Sequence, residues 1–363
     1  MFDWIPLELY SDIYYYILMI IVLLTAVNLN RYKFTSQNNI IINKLLLYVI
    51  ILLCTLYMGG RPISGRFFGD MYTYDMYFQR IKISGIEAGM LESDSLFYYY
   101  MYICTLIMDN HTFFIISSIL YFLPILIVSN VNFNRNAFYA VLLLVGSFSF
   151  WSYGVNGIRN GLATSMFLLV FATNKKWLQV LIVLIAINLH SSLLIPIVAF
   201  LISYIVKRPK YILYGWLICI PISLIMGGSI QTFFAGIIDD DRTSYLTDGN
   251  INNDNFSSTG FRWDFLIYSS CAVYAGWYYI FKKNYQDQRY RLIYSTYLIA
   301  NAFWILVITA NFSNRFAYLS WFMMALVIVY PLLKNYVFHK SEKTLAYIII
   351  AYFGFTFLMN VVI

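Results

Sequence analysis

The chain has few charged residues for its length. Asp, Glu, Lys and Arg together make up 11% of its 363 residues, whereas 61% are hydrophobic. A soluble domain carries about 25% charged residues, so this chain has too few to cover the surface of a water-soluble globule. The composition excludes an ordinary soluble protein and predicts an integral membrane protein.

Paired ligands for metals or disulfides are also missing. The four cysteines occur singly, at positions 54, 104, 219 and 271, and there are three histidines. No phosphate-binding loop and no Gly-x-Ser-x-Gly elbow occurs. The acidic run Asp239–Asp241 is interpreted as a solvated loop rather than a divalent-cation site. We therefore expect no bound metal and no cofactor, with the cysteines acting as small core residues.

Long apolar runs predict an all-α polytopic fold, because about 20 mostly apolar residues are needed to cross a bilayer as a helix. A tyrosine-rich run at 95–108 is shorter and is interpreted as a re-entrant or periplasmic interfacial helix. Twelve candidate spans are predicted, near residues 13–29, 40–58, 112–130, 137–152, 159–174, 176–190, 191–206, 211–228, 264–281, 291–309, 316–333 and 344–361.

Basic residues are distributed unequally between the connecting loops. With the N-terminus outside and twelve alternating spans, 16 of the 24 Lys and Arg residues fall in inside loops, against two of the 17 acidic residues. Cytoplasmic loops carry the excess of Lys and Arg, so both termini are predicted to be periplasmic. The distribution also argues against a nucleic-acid partner. Two long periplasmic loops, 59–111 and 229–263, are the predicted places for function.

Several arginines remain on the predicted outer face. A planar guanidinium matches phosphate oxygens, so these side chains predict a site for a phosphorylated, lipid-linked anion. The alternative is that they pair with acids on the same face. Arg159 begins a predicted span, where the helix dipole favours an anion. The candidate anion-binding residues are Arg61, Arg66, Arg159, Arg262 and Arg315.

Candidate proton acceptors lie on the same predicted face. His190 ends the span 176–190 and could act as a general base near neutral pH. The segment from Arg61 to Phe78 interleaves acids with aromatic rings, a pattern typical of carbohydrate sites. Its carboxylates Asp70 and Asp75, with Glu87 further along the same loop, are the other candidate bases. The candidate sugar contacts are Tyr72, Tyr74, Glu87 and Asn160.

Short segments in this order resemble a known family of membrane enzymes. The sequence contains Arg66-x-x-Gly69-Asp70-x-x-x-Tyr74 with Glu87-x-Gly89, then Gly157-Ile-Arg159-Asn160-Gly-Leu-Ala163, His190-Ser-Ser192 and Asn314-Arg315-Phe316. Together they resemble EpsG/Wzy-type polysaccharide polymerases. Relatives often carry a doubled His before the Ser, whereas this chain has Leu189-His190.

The resemblance implies a bacterial inner-membrane glycosyltransferase of the GT-C type. Such enzymes transfer a growing O-antigen, exopolysaccharide or capsule chain from undecaprenyl pyrophosphate to the next lipid-linked repeat unit, at the periplasmic face and without a nucleotide sugar. The resemblance further implies that Arg159, Arg262 and Arg315 hold the pyrophosphate. Asp70 or His190 would be the base for an inverting transfer, and a chain-length regulator would be a partner.

Three other functions fit a protein of this class. A flippase for lipid-linked glycans would need charged or broken helices at the bilayer midplane and repeat symmetry, and the sequence shows neither clearly. A membrane acyltransferase would need a catalytic histidine with access to a cytoplasmic acyl donor, whereas His111 and His190 are predicted outside. A ligase that moves the glycan to lipid A differs from a polymerase only in its acceptor, so the sequence separates the two poorly.

Overall fold

A computed structural model of the chain describes residues 2–235, 260–310 and 313–362. The described residues are 82% helical and contain no β-strand. The prediction of an all-α fold is confirmed. Because each helix satisfies its own backbone hydrogen bonds, this is one of the two architectures that a bilayer permits.

Most of the α-helices within the described residues follow one another through short connections. Those of the N-terminal half are α1 (Tyr10–Arg31), α2 (Gln37–Gly59), α3 (Gly65–Phe68), α4 (Met71–Ser84), α5 (Ser95–Ile107), α6 (Asn110–Phe133), α7 (Ala137–Val145), α8 (Phe150–Val155), α9 (Ile158–Leu168) and α10 (Lys176–Leu189). The C-terminal ones are α11 (Leu194–Ile205), α12 (Pro209–Ala235), α13 (Trp263–Trp277), α14 (Gln288–Leu306), α15 (Ser313–Trp321), α16 (Met324–Asn335) and α17 (Ser341–Phe357).

Polar side chains fix several of the helix starts. Asp109 precedes α6, and its carboxylate accepts a hydrogen bond of 2.8 Å from the amide of Thr112. Asp287 does the same for Tyr290 at the start of α14, also at 2.8 Å. Each cap satisfies an amide that has no partner inside its helix.

The predicted count of twelve spans is not supported. Within the described residues, six segments are long and apolar enough to cross a membrane, namely Leu7–Arg31, Gln37–Gly59, Asn110–Val145, Pro209–Ile230, Ser313–Asn335 and Ser341–Val362. They indicate a multi-pass membrane protein. The predicted outside placement of both termini stays a prediction.

The middle of the chain accounts for much of this difference. Predicted spans between 137 and 206 form helices of 9 to 14 residues, from α7 to α11, with α8 shorter still. At 1.5 Å per residue, 14 residues rise about 21 Å, short of a hydrocarbon core of about 30 Å. The apolar runs continue across points where the helices end, such as Gly146 and His190. The short helix predicted at 95–108 is present as α5.

The chain divides into two compact units. In the first, Met1–Ser191 with Val329–Ile363, α1 packs on α17 and α2 packs on α6 and α7. In the same unit α9 contacts α6 and α10, and α10 also contacts α5. In the second unit, Ser192–Ile328, α11 and α12 both pack on α14, which also contacts α13 and α15.

A buried polar network joins the helices of the second unit. The side chain of Asn301 on α14 accepts a hydrogen bond of 2.8 Å from the indole of Trp216. Its amide donates to Ser269 at 3.2 Å and to Ser320 at 3.0 Å. The indole of Trp321 also donates to Ser269, at 2.7 Å. Polar contacts of this kind fix the register of helices that pack in an apolar medium.

Candidate functional site

The first predicted outer loop, 59–111, is largely helical. It holds α3, α4 and α5, with a 3-10 turn at Ala88–Leu91. A left-handed residue, Asp94, begins α5 with φ of 55°. Asp tolerates this conformation better than most residues with a side chain. This turn brings the start of α5 to the site described below.

The buried carboxylate of Asp94 is the centre of a charged cluster in the first unit. Its Oδ2 accepts a hydrogen bond of 2.9 Å from Nη1 of Arg159 and lies 2.8 Å from Nδ1 of His190. Its Oδ1 accepts a hydrogen bond of 2.8 Å from the amide of Ser191. Asp94 is 5% exposed. One carboxylate thus joins the start of α5, the start of α9 and the end of α10.

Two aspartates at helix starts use their side chains differently. Asp109 caps its own helix α6, whereas Asp94 makes no side-chain cap on α5. The Asp94 carboxylate is instead directed to the two other helices. A capping position is therefore used here to bring distant side chains together.

Arg159 lies in the first turn of α9, as the sequence predicts. Its side chain is 21% exposed, and its guanidinium lies 5.9 Å from the centre of the buried Tyr74 ring. A helix start repels a cation, and the Asp94 carboxylate compensates for this. The internal pairing considered from the sequence is therefore present for Arg159. Its buried Nε has no hydrogen-bond partner among the described residues.

His190 follows the last residue of α10 in extended conformation and is 6% exposed. An ionised carboxylate only accepts hydrogen bonds, so the Nδ1 of His190 carries the hydrogen toward Asp94. In a neutral imidazole the other nitrogen, Nε2, is then the acceptor. The contact with Asp94 fixes the tautomer that a general base requires.

The surroundings of Asp94 favour its ionised form. Burial opposes ionisation, but the hydrogen bond and charge of His190, the charge of Arg159 and the amide of Ser191 outweigh it. Together they hold the pKa of the Asp94 carboxyl below its usual value. Near neutral pH the Asp94–Arg159 pair is neutral overall, so the cluster becomes positive when His190 is protonated.

The Gly69–Asp70 turn lies at the start of α4, which carries Tyr74. The amide of Asp70 donates a hydrogen bond of 2.7 Å to Oδ1 of Asn156. Gly69 has φ of 53°, and a Cβ at this position would overlap the Asn156 side chain. Asp70 itself is exposed. The predicted residues Tyr74, Arg159 and His190 therefore share one region with Asp94, and Asp70 lies at its edge.

Arg61 occupies a different environment from the one predicted. It is 1% exposed, and its guanidinium donates to the carbonyls of Met58 and, at 2.7 Å, Val155. These carbonyls lie at the C-terminal ends of α2 and α8, where a cation is favourable. Burial lowers the pKa of Arg61 to about 9, which leaves it charged near neutral pH. The geometry favours a structural role that joins two helix ends.

Four other predicted residues of the first loop lie outside the Asp94 cluster. Asp75 accepts a hydrogen bond of 2.6 Å from the side chain of Asn110. Glu87 forms a two-fold ion pair with Arg80, at 2.6 and 2.7 Å. The exposed Arg66 lies over the ring of Phe67, and Tyr72 is exposed on α4.

The remaining predicted residues lie on α9 or in the second unit. Asn160 follows Arg159 on α9 and is half-buried. Arg262 precedes α13 and pairs with Asp264 at 2.6 Å. Arg315 lies on α15. In the second predicted loop, residues 236–259, with Asp239–Asp241, lie outside the described residues.

The central residue, Asp94, was not predicted from the sequence. The sequence places it directly before a short apolar helix, where an aspartate is normally interpreted as a cap. Its pairing with Arg159 and His190 spans 65 and 96 residues, so no local pattern indicates it. Within the described residues, no group of three or more His, Cys, Asp or Glu side chains is placed to hold a metal ion.

Comparison with known proteins supports the resemblance found in the sequence. No curated protein and no solved structure matches the chain. A family model does match, over residues 44–363, and its description is EpsG family. This match covers most of the chain and includes all the residues of the Asp94 cluster. The predicted family relationship is confirmed, and the chain belongs to the EpsG family.

Proposed function

We propose that this protein polymerises a polysaccharide by transferring a growing glycan from undecaprenyl pyrophosphate to the next lipid-linked repeat unit. EpsG family membership indicates a polysaccharide polymerase-type function, and a multi-pass membrane protein suits a lipid-linked donor. The observation that supports a site for this reaction is the Asp94 cluster, where one buried carboxylate holds an arginine and a histidine from two other helices.

In the proposed reaction, His190 is the general base. The acceptor sugar's hydroxyl loses its proton to Nε2 of His190, and its oxygen attacks the anomeric carbon of the donor. The bond between that carbon and the pyrophosphate oxygen breaks, and the pyrophosphate leaves with the bonding electrons. Attack from the opposite face inverts the anomeric centre. Asp94 is a positioning residue, because it orients the imidazole and stabilises its protonated form.

Arg159 is the proposed contact for the pyrophosphate. Its side chain is partly exposed and lies at a helix start. When His190 takes up the proton, the cluster gains a positive charge as negative charge develops on the leaving group. Stabilisation of a developing charge by fixed groups is a large contribution to catalysis. Arg262 and Arg315 remain proposed pyrophosphate ligands, and Asp70 remains the alternative base.

The test is complementation of a strain that lacks the gene. Arg159→Ala and His190→Gln should each reduce the polymer about 100-fold or more, which is typical for loss of a general base or of a charge-stabilising group. Single repeat units should accumulate on their carrier at the outer face. The readouts are a glycan gel and an analysis of lipid-linked sugars, with membrane levels checked by immunoblot.

Two matched variants control for the loss of a histidine or an arginine. His111→Gln changes an exposed histidine at the start of α6, and Arg208→Ala removes an exposed arginine that follows α11 and is not a candidate site residue. Full-length polymer from Arg159→Ala would overturn the pyrophosphate assignment. If His190→Gln makes normal polymer and Asp70→Asn makes none, Asp70 rather than His190 is the base. Repeat units trapped on the cytoplasmic leaflet would identify a flippase instead.

A further inference from the structure

An apolar groove separates the first two membrane helices. α1 packs on α17, whereas α2 packs on α6 and α7. Between α1 and α2 lie two adjoining cavities with volumes of about 220 and 150 Å³, which share Ile21, Leu46 and Phe138 as lining residues. The groove follows α1 from Tyr14 to Asn28, a rise of about 21 Å.

The groove changes in character along its length. The larger cavity is lined by aliphatic and aromatic side chains from α1, α2 and α7, such as Ile17, Ile50 and Leu53. The smaller cavity adds Asn28 and Asn43 at the opposite end. In a bilayer, hydrocarbon chains of lipids occupy apolar grooves on membrane helices. The occupant should therefore have a long apolar part and one polar end.

The polar end contains an acceptor without a donor. Asn43 donates a hydrogen bond of 2.9 Å to the hydroxyl of Tyr139. The Oδ1 of Asn28 is buried and receives no hydrogen bond from the described residues. An unsatisfied buried acceptor is costly, so a ligand with a hydroxyl or amine hydrogen would be favoured here.

Two cations lie next to this end. Arg31 ends α1, one turn after Asn28. Lys33 lies near the start of α2, where its carbonyl accepts a hydrogen bond from Asn39. Asn39 precedes Asn43 by one helical turn. Both cationic side chains are exposed, and neither forms an ion pair within the part of the chain that the structure describes. Glu342 contacts the same loop, where it accepts the Phe34 amide at 3.2 Å.

We infer that the groove binds one anionic phospholipid with a hydroxylated head group, of the phosphatidylglycerol type. Its acyl chain lies between α1 and α2, its phosphate near Arg31 and Lys33, and its hydroxyl donates to Oδ1 of Asn28. Basic positions between membrane helices are suited to such head groups. An isoprenoid pyrophosphate would fit the apolar groove and the cations, but ionised phosphates offer Asn28 no hydrogen. The inference does not depend on the proposed function.

The first test is native mass spectrometry of the detergent-purified full chain with added phosphatidylglycerol or phosphatidylcholine. We expect one retained phosphatidylglycerol and weaker retention of phosphatidylcholine. In the double variant Arg31→Gln with Lys33→Gln, the affinity for phosphatidylglycerol should fall about 25-fold, because each neutralised charge lowers it about fivefold. The matched control is Lys207→Gln with Arg208→Gln, an exposed basic pair that follows α11 and does not line the groove.

The second test fills the groove. Ile21→Trp should reduce phosphatidylglycerol retention without changing the cations, and Ile21→Leu should leave it unchanged. If the Trp variant does not fold, the exposed charge pair still decides the question. Equal retention of both phospholipids, an equal effect of the control pair, or recovery of an isoprenoid lipid in place of phospholipid would each overturn the inference.

Discussion

The single carboxylate of Asp94 contacts two side chains that are far apart in the sequence, those of Arg159 and His190. The sequence supplied Arg159 and His190 as candidates, because a cation and an imidazole at membrane-helix ends are costly unless they are used. It could not supply Asp94, because aspartate before a helix has an ordinary local explanation as a cap. The conformation of Asp94 and its contacts with α9 and α10 depend on how the helices pack. The same holds for Arg61, whose two carbonyl partners belong to α2 and α8.

The stability contributed by Asp94 should depend on pH. Its folded-state pKa lies below its usual value of about 3.9. The ionised carboxylate therefore contributes stability above that pH, and the contribution is lost as the pH falls through the folded-state value. We expect Asp94→Asn to lower the apparent unfolding temperature at neutral pH, and this difference from the unmodified protein to shrink below about pH 4. Thermal unfolding of the detergent-purified protein measures this.

A second aspartate provides the control for that measurement. Asp109→Asn alters the same residue type at a helix start, and asparagine also caps helices well, so its effect should be small at neutral pH. If Asp94→Asn still lowers the unfolding temperature by the same amount at acid pH, the charge of Asp94 is not responsible. A decrease no larger than that of Asp109→Asn would also contradict the role of the charge.

At the scale of helices, the presence of a helix was easier to predict from the sequence than its length. Apolar composition predicts helices along most of the chain, and the structure has helices at those places. The helix ends depend on where the chain leaves the helical conformation, as at Gly146 and His190, and on packing, which hydropathy does not describe. Short helices such as α8 and α9 are acceptable where neighbouring helices satisfy the freed backbone groups. Counting apolar runs therefore gave more spans than the six long apolar helices found within the described residues.

The turn before α4 should be sensitive to a side chain at Gly69. In Gly69→Ala the new methyl group would displace Asn156 and break its hydrogen bond with the Asp70 amide. Because α4 carries Tyr74 beneath Arg159, we expect polymer yield to fall about tenfold or more, since small displacements near a reacting centre are costly. Glycan gels of complemented cells, normalised to protein level, measure the effect.

Gly85→Ala controls for backbone strain in that experiment. Gly85 also has a positive φ, 75°, but a Cβ there would meet no atom within 4 Å. Both substitutions impose the strain of a left-handed conformation, whereas only Gly69→Ala moves Asn156. Equal yields from the two variants would contradict a role for the Asn156 contact.

At the scale of the whole molecule, the family match includes residues of both compact units. Residues 44–363 include most of the first unit and all of the second, so neither unit is outside the family's pattern. Composition alone predicted a membrane protein, and the six long apolar helices agree with it. The sidedness rests on the distribution of Lys and Arg, which the fold does not test.

Sidedness can be measured with two single cysteines in the first unit. Cys54, Cys104, Cys219 and Cys271 would first be replaced by alanine, and Glu92→Cys or Lys340→Cys then added. Both positions are exposed; Glu92 adjoins Asp94, and Lys340 lies in a predicted inside loop. We expect a membrane-impermeant maleimide to label Glu92→Cys in intact cells, and Lys340→Cys only after permeabilisation, since basic loops stay cytoplasmic. The reverse pattern would place the Asp94 cluster on the cytoplasmic side, where a nucleotide-sugar or acyl donor would be available. That result would contradict transfer from a carrier exposed at the outer face.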